Sequence, residues 1–427
     1  MPQSRLTIAI YALTLSCMVE ATQHLKTRCC IVGGGPAGIM LGLLLARAGV
    51  PTLVLEKHKD FLRDFRGDTV HPSTLEILNE LGLKHRFDQL PQHRVQKLQA
   101  LFADGPLVFG DFGTLKPYPY LALVPQWDLL DLLSQEARCY PNFSLLMQAE
   151  VTTTVHTGDA VTGVRATTPD GELVVQADLV VACDGRHSTL RAAAGLQSQN
   201  LGAPMDVMWF RLPRANTDPD DTFGVAGRGG FLVLLNRNDY WQVACVIPKG
   251  QAEEWRRKPI ERFRDNIARR CAILAPHVDA IQSWNDVKLL EVRVDRLRRW
   301  HRPGLLLIGD AAHAMSPIGG VGINLAIQDA VAAANILGPV LQGQSAVEEH
   351  MLAAVQKRRM LPTRLMQRVQ LIMQRRLIEP ALAAKDDGQA ARAPAIARLL
   401  TRSRLLRTIP ARIFGLGFRR EHVRPPP

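Results

Sequence analysis

Apolar residues come along this chain in short blocks whose spacing changes with position. Cys29 to Val32 and Thr52 to Leu55 are continuous apolar runs, as expected for strands buried on both faces of a parallel sheet. Between them, Ile39 to Ala48 carries apolar residues at helical spacing, and Gly49 is placed to stop that helix. Further helices are expected from about Ser73 to Leu81 and over Pro125 to Ala137, the latter with Leu129, Leu130, Leu132 and Leu133 on its core side. Val151 to Val175 reads as two or three antiparallel strands joined at Pro169-Asp170-Gly171, and Ala177 to Cys183 as a separate buried strand. Residues 205–250 are richer in β-formers: Met205 to Leu212 is one strand, and Phe231 to Leu235 with Tyr240 to Ile247 form a hairpin across Asn236 to Asp239. Leu305 to Ile308 is again a buried strand, and a helix follows over Ile323 to Leu337. After Glu348 the chain is helical and basic, punctuated by Pro362, Pro380, Pro394 and Pro410, and no segment repeats another.

Three strand ends carry glycines beside a carboxylate. At the first, Gly33, Gly35 and Gly38 enclose Pro36 and Ala37 in a G-x-G-x-x-G turn, and the next strand ends at Glu56 and Lys57. The first glycine permits a tight turn, the second admits a pyrophosphate to the backbone, and the third lets helix and strand pack closely. A carboxylate at Glu56 can accept hydrogen bonds from both hydroxyls of a ribose and repels a 2′-phosphate, which favours FAD or NAD over NADP. The second end is Asp178 to Ser188, with Asp184 and Gly185 following the strand. The third runs from Gly304 through Gly309 and Asp310 to Pro317, Gly320, Gly322 and Asn324. Ligands of open parallel sheets bind at the carboxyl ends of the strands, so three such ends imply one extended ligand. Pro317 to Asn324 opens a helix whose free N–H groups and positive dipole end would face it.

Charge and cysteine usage narrow the classes. The 427 residues carry a net charge of +12. From Lys357 onward there are seventeen Lys and Arg against four Asp and Glu, so the rest of the chain is close to neutral. The basic character belongs to a tail and not to a nucleic-acid-binding body. The cysteines make no C-x-x-C and no Cys/His cluster of metal spacing, so no metal is expected and reduced thiols in a cytoplasm are the reading. No run reaches the eighteen apolar residues of a membrane span. Leu6 to Val19 imitates a signal-peptide core but is read as an extension before the first strand. Residues 395–418 alternate leucine or isoleucine with arginine, which would suit a membrane surface; Pro410 and the glycines at 415 and 417 favour packing on the protein itself.

Together the three motifs resemble the group A flavin-dependent monooxygenases, the aromatic hydroxylases that include para-hydroxybenzoate hydroxylase. The resemblance covers most of residues 28–340. It implies an α/β fold: a Rossmann-like FAD-binding domain with an inserted antiparallel β-sheet substrate domain and a helical C-terminal extension. The expected division is 1–27 as extension; 28–100, 121–200 and 286–350 as FAD-binding domain; 101–120 and 201–285 as substrate domain; and 351–427 as the basic helical region. By this likeness Asp184 lies near the FAD pyrophosphate and the passing nicotinamide nucleotide, and Asp310 bonds the ribityl chain. Arg66 contacts the flavin, and Gln126 lies against the FAD ribose or ribityl region. It implies that NADH or NADPH reduces FAD, oxygen adds to give a flavin hydroperoxide, and an aromatic or polyketide-like ring is hydroxylated. The alternative is a flavin oxidoreductase of the same fold that inserts no oxygen; a flavin-loaded, membrane-associated sensor is a third. The Trp-x-Trp-x-x-Pro signature of flavin halogenases is absent. Candidates for acid/base work are His71 and His313, which flank the motifs, although a turn contact would explain His313 as well. Trp209, Tyr240 and Trp241 could serve the sheet core or line a pocket, and Arg211 could meet an anion or phenolate.

Overall fold

The computed structural model describes residues 22–62, 69–343, 345–384, 389–395, 398, 401 and 403–425. Arg66 and the Leu6 to Val19 stretch therefore lie outside the described residues. The architecture is mixed α/β, with a mainly parallel sheet, a second sheet that is antiparallel except where Phe223–Gly227 pairs in parallel with Lys97–Phe102, and a helical C-terminal region.

The first sheet is built on the strand Gln23–Val32, flanked by Thr52–Glu56 on one side and Gly171–Ala182 on the other, both parallel to it. Leu305–Leu307 pairs in parallel beyond Gly171–Ala182, and Phe143–Met147 beyond Thr52–Glu56. Two expectations change here. The central strand begins at Gln23, six residues before its apolar run, because the polar residues of that extension are exposed and carry no apolar period. The reading of Ala177 to Cys183 as a separate strand is also corrected: Gly171–Ala182 is one strand. Its first half pairs antiparallel with Ala160–Thr168, while its whole length pairs parallel with Gln23–Val32, so nothing breaks it at Gln176. Gly171, at φ +114°, makes the turn that Pro169 and Asp170 announce.

Helix Pro36–Arg47 covers this sheet, with Pro36 in its first turn and Gly49 at φ +79° just past its end. Helix Gly322–Gln342 packs beside it and continues through Pro339, five residues past the expected end. It is long and apolar enough to cross a membrane, yet 72% of its apolar window is buried inside the protein, which makes it a core helix.

The second sheet has strand order Lys288–Leu290, Met205–Pro213, Tyr240–Pro248, Gly230–Asn236, Phe223–Gly227, Lys97–Phe102 and Gly105–Asp111. The Asn236 to Asp239 hairpin is present, with Asn238 at φ +70°. Alternate residues face opposite sides. Met208, Phe210, Leu212, Leu232, Leu234 and Trp241 form an outer core with Phe263 and Ile267. Trp209, Phe231 and Val233 lie on the inner face, in one cluster with Ile318.

The C-terminal region closes over both sheets. Helix Glu349–Met373 runs through Pro362, and a π-helical turn at Gln374–Ile378 and a short helix at Glu379–Ala383 follow. Helix Arg404–Leu416 lies on Gly105–Asp111, with Ala411 and Phe414 buried against Phe112, Leu115 and Met315. Beyond it, Arg420 bonds Glu76, His422 bonds Glu80, and Glu421 is buried against Arg358 and Arg359. Arg359 in turn bonds Asp329 on helix Gly322–Gln342. Part of the basic tail, Arg358, Arg359 and Arg420, thus enters ion pairs with acids of the protein itself. Removing the residues from Arg419 onward leaves Arg359 and Asp329 buried without Glu421. We expect a loss of about 3–5 kcal/mol, the usual cost of breaking a buried pair. A denaturant midpoint equal to that of the full chain would refute it.

Candidate flavin site

The parallel register brings the three motifs to one edge of the sheet. Val32 pairs with both Leu55 and Ala182, and Ala182 pairs with Leu307. Just past these ends, Gly33 stands at φ +105°, and a Cβ there would lie 2.7 Å from the carbonyl carbon of Cys183. A Cβ on Gly309 would lie 3.2 Å from that of Ala37. The first motif therefore touches both others.

The glycines divide into two groups. Gly33, Gly38, Gly309 and Gly320 are pressed against protein: a Cβ on Gly38 would run into the Gly33 carbonyl, and one on Gly320 would lie 2.7 Å from Thr69 Oγ1. Gly35, Gly185 and Gly322 meet nothing within 4 Å. Gly35 and Gly322 stand at the starts of helices Pro36–Arg47 and Gly322–Gln342, and neither helix has a side-chain cap. Two uncapped helix N-termini thus open where no side chain intrudes, as an anionic diphosphate and a flat ring require.

The carboxylates differ in state. Glu56 is buried, and its carboxylate accepts hydrogen bonds from Gly34 N–H (2.8 Å) and His58 N–H (3.0 Å). It therefore braces the glycine turn from the neighbouring strand. Lys57 follows it, exposed. Asp184 accepts from Leu190 N–H at 3.1 Å through Oδ2, while its Oδ1 is buried with no partner among the described residues. Burial raises the Asp184 pKa above its ordinary value. A buried acceptor left without a donor is costly within the protein alone, and a ligand hydroxyl or N–H would satisfy it. Asp310, about one third exposed, pairs with Arg186 Nε at 3.1 Å. Gln126 is half-buried in the first turn of helix Gln126–Ala137.

Asn324 is engaged within the protein. Its Oδ1 accepts from His71 N–H (2.9 Å) and Thr74 Oγ1 (2.7 Å), and its Nδ2 donates to the carbonyls of Thr69 and Gly320. It staples the loop after Pro317 to the strand and helix at Thr69 to Glu80. His71 is fully buried beside it, 2.5 Å from the Phe414 carbonyl through Nδ1. His313 is also internal: its Nε2 lies 2.6 Å from Asp329 Oδ2, the atom that accepts from Gly309 N–H at 3.1 Å. Burial alone would raise the Asp329 pKa, but His313 and Arg359 outweigh it and hold the carboxylate below its ordinary value. Both histidines thus brace glycine loops from inside. On the second sheet, Trp241 is fully buried in the outer core and donates to Asp218, whereas Trp209 lies on the inner face. Arg211 is exposed and stacks over Tyr240 at 5.2 Å.

Sequence reasoning missed three buried glutamines on the helix after Glu348. Gln367 donates to the carbonyls of Asp295 and Ala314. Gln370 donates to those of Ser316 and Ile318 and accepts from Ser316 N–H, and Gln374 donates to Ser316 Oγ. Their spacing of three and four residues puts them on one helical face, a signal present in the sequence.

Three converging strand ends, two open helix N-termini and an unsatisfied buried carboxylate oxygen define a dinucleotide-binding flavoprotein site, and the residues present fit FAD. Comparison with known proteins agrees. The FAD binding domain family model matches residues 26–369. The chain is 34% identical over 390 residues to 6-methylpretetramide 4-monooxygenase of Streptomyces rimosus, covering 91% of this chain and 92% of the relative. Its fold is shared with p-nitrophenol 4-monooxygenase of Pseudomonas putida (TM-score 0.74, 20% identity, 93% of this chain and 99% of that one). It is shared also with P. aeruginosa PqsL in complex with 2-aminobenzoylacetate (TM-score 0.73, 22% identity, 84% and 98%). The chain belongs to the FAD binding domain family, among its group A flavin-dependent monooxygenases.

The two glycine groups separate ligand binding from folding. Gly35→Val should leave the melting temperature of the flavin-free protein nearly unchanged while abolishing FAD uptake. Gly38→Ala should destabilise the fold itself. Thermal melts with FAD titration check both; a Gly35→Val protein that binds FAD normally would refute the assignment.

Burial lowers the His71 pKa from 6.5 to about 4. The unfolded chain therefore binds a proton that the folded one refuses between those values. Stability conferred by neutral His71 is complete above pH 6.5 and declines as pH falls towards 4, by up to about 1.4 kcal/mol per pH unit. His71→Gln should flatten this slope in denaturant titrations at stepped pH; an equal slope in both proteins would show that His71 does not cause it.

Proposed function

We propose that this FAD-dependent monooxygenase hydroxylates a phenolic, polyketide-like ring in the cleft between the inner face of the second sheet and the loop at Pro317 to Gly322, at the expense of NADH or NADPH. The observation that carries the reading is the position of that loop. It is tied to the FAD-side strands through Gly320 and Asn324, and Ile318 packs against the same apolar cluster as the half-buried Trp209, Phe231 and Val233. A partly exposed, apolar and aromatic face thus lies beside the glycine loops, and that face is where the ring would bind. The relative that covers nine-tenths of this chain is named for oxygenating 6-methylpretetramide, which supports a polycyclic phenol over a simple one.

FAD supplies the redox and oxygen chemistry when bound. The chain's part is to hold it and to place the ring. Gly33, Gly35, Pro36, Ala37, Gly38 and Gly185 shape the diphosphate cradle; Glu56 and Lys57 serve the adenosine ribose; Asp184, Asp310 and Gln126 bond the chain between. Gly309, Pro317, Gly320 and Gly322 present backbone to the ring, and Asn324, His71 and His313 position those loops. Arg211 and Tyr240, at the rim of the second sheet, draw an anionic phenolate towards the cleft. The parallel sheet forms the cofactor domain and the antiparallel one the substrate domain. The setting we propose is a reducing cytoplasm, on the cysteine usage of the sequence.

The deciding experiment supplies NADH or NADPH, labelled dioxygen and a panel of phenols. Substrate-stimulated NAD(P)H oxidation with label in the product establishes the reading; stimulated oxidation that leaves no label in any product overturns it. Asp310→Ala is expected to weaken FAD binding about tenfold to a hundredfold, the loss of one charge-assisted hydrogen bond. Its stability should fall little, because the Arg186 pair is partly exposed. An unchanged FAD dissociation constant would remove Asp310 from the site.

A further inference from the structure

We propose that Gln374–Ala383 is the specificity-determining wall of the cleft, and that Ile378 and Leu382 are the residues that meet the substrate ring. This rests on the cleft being the substrate site, as proposed above.

Ile378 and Leu382 are half-buried and pack into the same cluster as Ile318 of the flavin loop and Trp209, Phe231 and Val233 of the second sheet. The Glu379–Ala383 helix touches both central strands of that sheet, Gly230–Asn236 and Tyr240–Pro248. A ring bound there would have the aromatic residues of the sheet on one side, the flavin loop on another and the aliphatic residues of this segment on a third. A flat ring slides between an aromatic and an aliphatic surface without leaving a polar group unpaired. The width of that slot is set by the side chains at 378 and 382.

The wall is fixed relative to the flavin loop and not merely adjacent to it. Gln370 and Gln374 are fully buried. Gln370 clasps Ser316 and Ile318 through three hydrogen bonds, and Gln374 donates to Ser316 Oγ at 2.8 Å. Gln374 is also the first residue of the π-helical turn that leads to Ile378. Such turns are rare and occur frequently at functional sites, because they re-aim the residues that follow. Here the turn leaves Arg375 and Arg376 exposed and brings Ile378 to the cleft. One short stretch thus anchors the flavin loop at its start and limits the substrate at its end.

The test uses the full-length, FAD-loaded protein and two probes, phenol with one ring and phenanthrol with three, whose dissociation constants are read from the perturbation of the flavin spectrum. Ile378→Trp narrows the slot and is expected to weaken phenanthrol about tenfold while leaving phenol within about twofold. Leu382→Ala widens it and is expected to move the ratio of the two constants the opposite way. FAD content should match the wild type in both, since neither side chain bonds the flavin loop. If Ile378→Trp does not fold, Leu382→Ala decides alone. Variants that keep FAD and bind both probes like the wild type overturn the wall assignment and leave the proposed function standing. A wild-type protein whose flavin responds to neither probe overturns the substrate reading and this inference with it.

Discussion

The backbones of Gly33 and Cys183 approach so closely that no side chain fits between them, and the rest of the site is built outward from that contact. It forces the ends of two parallel strands into van der Waals contact just where each turns away from the sheet. Once they meet, Asp184 and the Pro36–Arg47 helix start on the same edge, and Ala37 reaches Gly309 on the third strand. A dinucleotide is long and charged. A cradle for it needs several backbone donors pointing one way, and parallel strand ends with glycine turns provide them.

The elements that a parallel sheet requires were legible in the chain because their burial on both faces writes a continuous apolar run. Cys29 to Val32, Thr52 to Leu55 and Leu305 to Ile308 are strands for that reason. So was the antiparallel hairpin, where two runs of β-formers flank an Asn-rich turn. What the sequence hid were contacts whose partners lie far apart. Asn324 was legible as part of a ligand-facing loop, but its four hydrogen bonds run to residues 69–74 and 320, and no local pattern announces them. His71 and His313 stood beside glycine motifs as catalytic residues would. Their partners, the Phe414 carbonyl and Asp329, are 343 and 16 residues away and place both side chains inside the protein.

The C-terminal region was the least legible part, and the physics explains why. Its charge is conspicuous, and charge in sequence reads as solvent exposure or a basic surface. In the fold a few of these charges turn inward while most stay exposed: Arg359 is 1% exposed between Asp329 and Glu421, and Arg358 and Arg420 also bond acids. A buried arginine of this kind is tolerable only when its donors are matched, and Asp329, Glu421 and the Arg419 carbonyl match them. Asp329 also accepts from Gly309 N–H, so the network that closes the tail is the same one that holds the turn before Asp310.

This arrangement divides the molecule into parts with different tolerance to change. On the cofactor side, nearly every polar side chain that braces a loop does so through backbone atoms: Glu56 on Gly34, Asp329 on Gly309, Asn324 on Thr69 and Gly320, Gln370 on Ser316 and Ile318. Such bonds fix loop shape and depend little on which side chains the loop itself carries. On the side of the second sheet, Trp209, Phe231, Val233, Ile318, Ile378 and Leu382 pack against one apolar cluster. Apolar contacts are non-directional, so exchanging one residue for another of different size alters the space between them without disturbing the hydrogen-bonded frame. A fold built this way can keep one cofactor geometry while the ring it accepts varies. That is the physical reason the cofactor motifs stand out in the sequence and the substrate pocket carries no motif.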